Sequence, residues 1–162
     1  MLTHAQKVSG GVRLLLGGIF FWAYIDKVFG FGFGTLSEKS WLRGVSPTQD
    51  FLLYGTHGLF AGVFQSLAGN TLVDWVFMTG LLCIGVSLLL GIGMRLSAFF
   101  GSVLLCLMWL SAFPPKNNPL IDQHVIYIGV LWWLFFADAG RYAGLGTWWA
   151  RQKLVKRFPW LA

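Results

Sequence analysis

Four long stretches of mainly apolar residues dominate the chain, and shorter polar segments separate them. They cover about residues 8–29, 72–92, 96–113 and 119–137. Each is close to the roughly 20 apolar residues that a helix needs to cross about 30 Å of hydrocarbon. The pattern predicts an all-α integral membrane protein, an antiparallel four-helix bundle that forms one domain over residues 1–162.

Polar residues and prolines predict where these helices begin and end. Thr71 and Asp74 have the spacing of a capping box at the start of the second span. Asn118 followed by Pro119 predicts an N-cap at the start of the fourth span. The short connection at 91–95 makes the second and third spans antiparallel neighbours.

Two further segments are apolar but too short to cross a bilayer. Residues 46–68 hold two short apolar runs on either side of a glycine-flanked His57, which predicts two short helices at the membrane surface. Residues 147–158 combine tryptophans with basic side chains, which predicts an interfacial amphipathic helix facing anionic lipid. Membrane lipid is therefore a predicted partner.

The composition supports a membrane location and excludes several other classes. Hydrophobic residues make up 56% of the 162 residues and charged residues only 11%, whereas a soluble domain carries about 25% charged residues. This excludes a disordered chain and a soluble enzyme of ordinary composition. The net charge of +6 reflects few acidic residues rather than a dense basic surface, so no nucleic-acid partner is predicted.

The basic residues are distributed unequally between the two sides that four spans would create. One side receives eight of them and the other side four. The positive-inside rule then predicts a multi-pass protein of the cell membrane with both termini in the cytoplasm. The eight are Lys7, Arg13, Arg95, Arg141, Arg151, Lys153, Lys156 and Arg157, and the four are Lys27, Lys39, Arg43 and Lys116. As a charge near the end of a span, Arg13 is expected to extend to the interface. Its spacing with Gly17, Phe20, Tyr24 and Lys27 also places it on one helical stripe, which indicates a face that points into the bundle.

Motifs for metal or nucleotide binding are absent from the sequence. Cys83 and Cys106 fall in the middle of different predicted spans without a CxxC pattern, which predicts buried structural thiols. No dinucleotide-binding glycine motif follows a strand, and the spacing of His57 and His124 does not favour a metal site. No metal or nucleotide cofactor is predicted.

Ionisable residues at membrane depth are the candidates for chemistry. We predict catalytic roles for Lys27, His124 and Asp26, and substrate-binding roles for Tyr24, His57, Asp122 and Asp74. Structural alternatives stay open. Asp26 and Lys27 also suit the interface where a helix leaves the bilayer, Asp74 suits a cap, and Asp122 suits the dipole of a helix N-terminus. Each histidine also suits a packed, hydrogen-bonded position.

Aromatic residues near the predicted spans offer a second line of inference. Most of the nine tryptophans suit interfacial belts or core packing. A quinone ring would also find apolar and aromatic walls here, with Tyr24, Lys27 or His124 as hydrogen-bond partners for its oxygens. Quinone is therefore the candidate cofactor.

Several short motifs follow one another in a distinctive order. They are RLLLGGIFFWAYIDK at 13–27, SEKSW at 37–41, GIGMR at 91–95, NPLIDQH at 118–124 and GRYAGLGTWW at 140–149. Their order and spacing resemble the DoxX/DoxD family of small four-helix membrane proteins. The resemblance implies a four-helix bundle and membership of a membrane redox system, because the DoxD branch is the membrane subunit of a thiosulfate:quinone oxidoreductase. It also implies a partner subunit and a small sulfur-containing substrate.

Three functions remain open at this point. The first is an integral membrane subunit that passes electrons from a small sulfur or thiol reductant to membrane quinone. The second is a non-catalytic membrane anchor or assembly partner of a redox complex. The third is a small-molecule permease, which four spans without an inverted repeat favour least.

Overall fold

The computed structural model describes residues 3–161, and within that range the chain is helical without a β-strand. Seven α-helices succeed one another along this part of the chain. They are α1 (His4–Phe29), α2 (Ala61–Gln65), α3 (Thr71–Leu90), α4 (Met94–Ser111), α5 (Gln123–Phe136), α6 (Gly146–Trp149) and α7 (Lys153–Arg157). Single turns of 3₁₀-helix lie at Ser37–Lys39, Trp41–Arg43, Ala139–Arg141 and Pro159–Leu161, and a π-helical turn lies at Phe51–Gly55.

Three of the helices, α1, α3 and α4, are long and apolar enough to cross a membrane. This confirms the all-helical fold, and these three helices coincide with three of the four predicted spans. The fourth predicted span at 119–137 is shorter in the structure, because α5 has 14 residues. At 1.5 Å per residue, α5 extends for roughly 21 Å, less than the thickness of the hydrocarbon layer.

The four longest helices share one hydrophobic core. α1 packs on α3, α3 on α4, and α4 on α5. Each helix contributes buried apolar side chains to the same cluster, which includes Phe20, Met78, Leu88, Leu105 and Leu131. The three residues between α3 and α4 make these two helices antiparallel neighbours, as the sequence predicts.

Glycines bring α1 and α3 into close contact. A Cβ atom added at Gly85 would lie 2.7 Å from the backbone nitrogen of Phe21, and one added at Gly17 would lie 3.0 Å from the backbone nitrogen of Leu89. Small residues at such positions let helix backbones approach closely, which is the usual means of helix association in lipid.

Two helix starts differ from their predicted caps. Asn70, rather than Thr71, caps α3, because its side chain accepts hydrogen bonds from the backbone N–H groups of the second and third helical residues. At the predicted start of the fourth span, the side-chain oxygen of Asn118 accepts hydrogen bonds from the backbone N–H groups of Leu120 and Ile121. These residues form a turn before the helix, so Asn118 does not cap α5. α5 therefore begins at Gln123, and Asp122 is its N-cap.

Arg13 is fully buried in the bundle, so the prediction that its charge reaches the interface is wrong. Its guanidinium group donates to five backbone carbonyls, which uses all five of its N–H groups. The acceptors are Leu88, Leu89, Ala139, Tyr142 and Ala143. Two of these carbonyls lie in the last turn of α3, where the helix dipole favours a positive charge.

The two cysteines face away from the core, which contradicts the prediction of buried thiols. Both Cys83 and Cys106 are free and exposed. Their neighbours in sequence, Ile84 on α3 and Leu105 on α4, point into the core instead. Because α3 is apolar on every side, composition alone does not show which of its faces is buried.

The segments outside the bundle form short helical pieces. The region 46–68 contains the π-helical turn Phe51–Gly55 and the helix α2, which agrees with the two short elements that the sequence predicts. The single helix predicted at 147–158 is instead divided into α6 and α7. Gln152 has extended backbone angles, and this residue separates the two helices.

Candidate functional site

A cavity of about 410 Å³ lies between the 46–68 segment and the adjoining ends of α3 and α4. We call it the α3–α4 cavity. One wall comes from the connecting segment and consists of Pro47, Thr48, Phe51, Leu52, Phe64 and Leu67. The other wall comes from the first turns of α3 and the last turns of α4. Its members are Leu72, Val73, Val76 and Phe77 on α3 and Leu104, Leu107, Met108 and Ser111 on α4.

Lys27 supplies the charge of this otherwise apolar cavity. It lies in the last turn of α1, and its Nζ donates a hydrogen bond of 3.3 Å to the carbonyl oxygen of Pro47. The same nitrogen lies 6.0 Å from the centre of the Phe77 ring, a distance at which an ammonium group is attracted to the ring face. An ammonium group has three N–H donors, so Lys27 keeps donors for a ligand.

Asp74 fixes the connecting segment to α3. Its carboxylate is buried, and Oδ1 accepts hydrogen bonds from the hydroxyl groups of Ser46 at 2.8 Å and Thr48 at 2.6 Å. The segment that bears Pro47 and Thr48 is thereby held beside the cavity. The side chain that the sequence assigns to a cap is instead a tertiary anchor.

Loss of this anchor should loosen the cavity wall. We expect Asp74→Ala to lower the free energy of unfolding by about 1–3 kcal/mol, because two hydroxyl donors lose their acceptor. Asp50→Ala is the matched control, since Asp50 is exposed and pairs with the exposed Lys39. Thermal unfolding and limited proteolysis of 43–58 in detergent measure the difference. Equal behaviour of the two variants would contradict a special role for Asp74.

Asp26 is buried beside the cavity residue Lys27 but binds a different part of the chain. Its Oδ2 accepts a hydrogen bond of 2.8 Å from the backbone N–H of Gly34. Its Oδ1 is buried without a hydrogen-bond partner in the part of the chain that the structure describes. Asp26 thus holds the loop that follows α1 against the helix end.

Asp122 and His124 form a pair at the start of α5. Asp122 Oδ1 accepts from the backbone N–H of His124 at 2.9 Å, and Oδ2 lies 2.7 Å from Nδ1 of the same residue. Burial raises the pKa of the Asp122 carboxyl, but its hydrogen bonds and the charge of His124 outweigh burial and leave the pKa below its ordinary value. The carboxylate fixes the orientation of the imidazole ring.

Two further candidates lie in separate surroundings. Tyr24 is partly buried and packs against the common core. The backbone N–H of His57 donates to the carbonyl oxygen of Ser111 at 3.1 Å, and its Nε2 is buried without a partner among residues 3–161. Ser111 lines the cavity, so His57 contacts a lining residue without being part of the lining itself.

The structure therefore brings one of the seven predicted site residues, Lys27, to the lining of the cavity. Tyr24, Asp26, His57, Asp74, Asp122 and His124 do not line it. The aromatic and aliphatic walls from 46–68 were not predicted as part of a site. Their apolar runs were visible in the sequence, but a periodicity does not show where a connecting segment folds back.

The groups that could bind a metal are also dispersed. Across residues 3–161, no three His, Cys, Asp or Glu side chains come close enough to hold a metal ion. The chemistry available at the cavity is therefore that of one ammonium group in apolar surroundings. Such a group donates hydrogen bonds and stabilises negative charge on a neighbouring oxygen.

Comparison with known proteins gives no relative for this chain. No protein-family description, curated protein or solved structure matches it. The resemblance to the DoxX/DoxD family stays a prediction from its motifs.

Proposed function

We propose that this protein is the integral membrane subunit of a redox system that passes electrons from a small sulfur or thiol reductant to membrane quinone. The α3–α4 cavity supports this proposal, because it combines an apolar space of about 410 Å³ with a single ammonium group. Ligand pockets have volumes of about 300–1,000 Å³ and place a few polar groups in apolar walls.

The lining residues fit a quinone ring. Phe51, Phe64 and Phe77 offer aromatic surface for the ring, and Lys27 Nζ offers a donor for one ring oxygen. A bound quinone would accept two electrons and two protons. Lys27 would place positive charge beside the oxygen on which negative charge develops during reduction.

The reductant side of the reaction also balances. Oxidation of two thiols to a disulfide releases two electrons and two protons, the number that reduction of one quinone consumes. In the part of the chain described, the two cysteines lie apart and free. We therefore propose that a partner protein subunit binds the sulfur substrate and that this chain binds the quinone.

We also propose that α5 completes the fourth crossing, with the bilayer thinned locally to match this shorter helix, and that both termini lie in the cytoplasm. Seven basic residues remain on the predicted cytoplasmic side after the buried Arg13 is set aside, against four on the other side. Arg95, in the first turn of α4, belongs to the cytoplasmic set, and Lys27, at the end of α1, belongs to the other. The α3–α4 cavity then lies at the outer end of the bundle.

Substitution of Lys27 tests the proposed function. In nanodiscs, Lys27→Met is expected to weaken binding of decylubiquinone by about 10-fold or more, because a hydrogen bond from a charged donor is lost. Quinone binding is measured by calorimetric titration against empty nanodiscs. Methionine preserves the length and apolar stem of lysine, so the bundle should remain folded.

Lys39→Met is the matched control, because Lys39 is exposed and lies outside the cavity. This variant should bind quinone as the original chain does. The proposal fails if Lys27→Met binds decylubiquinone with unchanged affinity. A chain that binds no quinone yet associates stably with a redox subunit would be a membrane anchor or assembly partner instead.

A further inference from the structure

The residues that line the α3–α4 cavity differ sharply in exposure from one end to the other. Leu72 is 71% exposed, Val76 65% and Leu107 48%. At the other end, Thr48, Leu52 and Ser111 are buried. The cavity therefore has a closed inner end and an open side, and the open side lies between the first turns of α3 and the last turns of α4.

The open side of the cavity lies on the outer surface of α3 and α4, which are both apolar. Both α3 and α4 are long and apolar enough to span a membrane. Leu72 and Val76 are one helical turn apart, roughly 6 Å along the axis of α3. In a bilayer, these exposed aliphatic side chains would contact lipid chains rather than water.

The polar atoms of the cavity are at the opposite, inner end. The Thr48 hydroxyl donates to Asp74, and the Ser111 hydroxyl donates to the carbonyl of Met108. Lys27 Nζ uses one of its three donors on Pro47. A ligand therefore meets a hydrogen-bond donor deep in the cavity and only apolar surface on the way there.

We infer that the α3–α4 cavity is loaded sideways from the bilayer, through a portal formed by Leu72, Val76 and Leu107. The occupant is a tailed, lipid-soluble quinone whose ring oxygen accepts from Lys27 and whose tail leaves through this portal. The inference rests on the proposed function for the identity of the ring. It adds the route of access and the path of the tail.

Two valines provide a matched test of the portal. Val76 is exposed and lines the cavity, whereas Val103 on α4 is exposed at 44% and does not line it. Val76→Trp places an indole in the portal, and Val103→Trp places the same group elsewhere on the apolar surface. Because both sites are exposed, both variants should unfold at the temperature of the original chain.

Binding is measured for the full chain in nanodiscs by calorimetric titration, with empty nanodiscs as the reference for partitioning. The two probes are decylubiquinone, which has a tail, and ubiquinone-0, which has none. Val76→Trp is expected to weaken decylubiquinone binding by about 10-fold, because the indole occupies the tail path. Its affinity for ubiquinone-0 should be unchanged, and Val103→Trp should bind both probes normally.

The remaining outcomes separate this inference from the proposed function. If Val76→Trp binds decylubiquinone as well as Val103→Trp does, the proposed portal is wrong, while the proposal that the chain binds quinone stands. If Val76→Trp loses affinity equally for both probes, the indole must block the site of the quinone ring, which would contradict the assigned tail path. If the original chain binds neither probe, the proposed function fails and the inference fails with it.

Discussion

Replacing Arg13 with methionine is expected to remove about 3 kcal/mol or more from the free energy of unfolding. The guanidinium group is fully buried and is the donor for five backbone carbonyls. Methionine fills much of the same volume but donates no hydrogen bond. Each buried acceptor that loses its partner costs about 1–3 kcal/mol, and a whole domain has only about 5–15 kcal/mol of stability.

The thermal unfolding midpoint and the fraction of monodisperse protein in detergent measure this effect. Arg95→Met is the control, because Arg95 is exposed in the first turn of α4. Arg13→Lys should fall between the two, since an ammonium group has three donors for the five carbonyls. A melting midpoint for Arg13→Met that equals that of Arg95→Met would show that the buried hydrogen bonds contribute nothing.

Adding one methyl group at Gly85 is expected to lower the free energy of unfolding by about 1–3 kcal/mol. The new Cβ would lie 2.7 Å from the backbone nitrogen of Phe21 and 2.9 Å from its Cα. Backbone atoms of a packed helix do not move aside as a flexible side chain does. The α1–α3 contact would therefore have to widen.

Each helix carries its own control for this substitution. Gly80 on α3 and Gly18 on α1 have no atom within 4 Å of an added Cβ. Gly80→Ala and Gly18→Ala should be neutral or stabilising by up to about 1 kcal/mol, because alanine favours helix more than glycine does. Gly17→Ala should behave like Gly85→Ala. Equal unfolding temperatures for all four variants would show that the close approach of α1 and α3 does not depend on glycine at positions 17 and 85.

The long helices could be predicted because their apolar runs are a local property of the sequence. The start of α5 could not, because Asn118 and Asp122 are both good caps and both are used. The first closes a turn, and only the second begins a helix. The orientation of α3 was equally inaccessible, because a helix that is apolar on every side carries no periodic signal for its buried face.

The environment of Arg13 depends on residues far away in the sequence. Its acceptors lie 75 to 130 residues further along the chain. A cation near the start of a predicted span is typical of an interface. The helical stripe that Arg13 shares with Gly17 and Phe20 does indicate an inward face, and all three are buried, but nothing local reveals the carbonyls that bind the guanidinium group. Gly91 and Gly144 make room for this contact, because a Cβ atom added at either position would lie close to the guanidinium group.

The candidate site was predictable only in part. Lys27 was singled out as a charge at membrane depth, and it does line the cavity. The expected companion, His124, pairs with Asp122 at the start of α5 and is not part of the lining. The cavity itself depends on how Ser46 and Thr48 dock on Asp74, a tertiary contact that no spacing in the sequence reveals.

The distant acceptors of Arg13 impose an order on biosynthesis. When α1 and α3 have left the ribosome, only the carbonyls of Leu88 and Leu89 are available to the guanidinium group. The other three acceptors, at residues 139–143, emerge only after α5 has been translated. During that interval, the guanidinium group has only two of the five carbonyls that stabilise its charge in the folded bundle. A chain that ends before Ala139 would therefore leave three of its N–H groups without their acceptors.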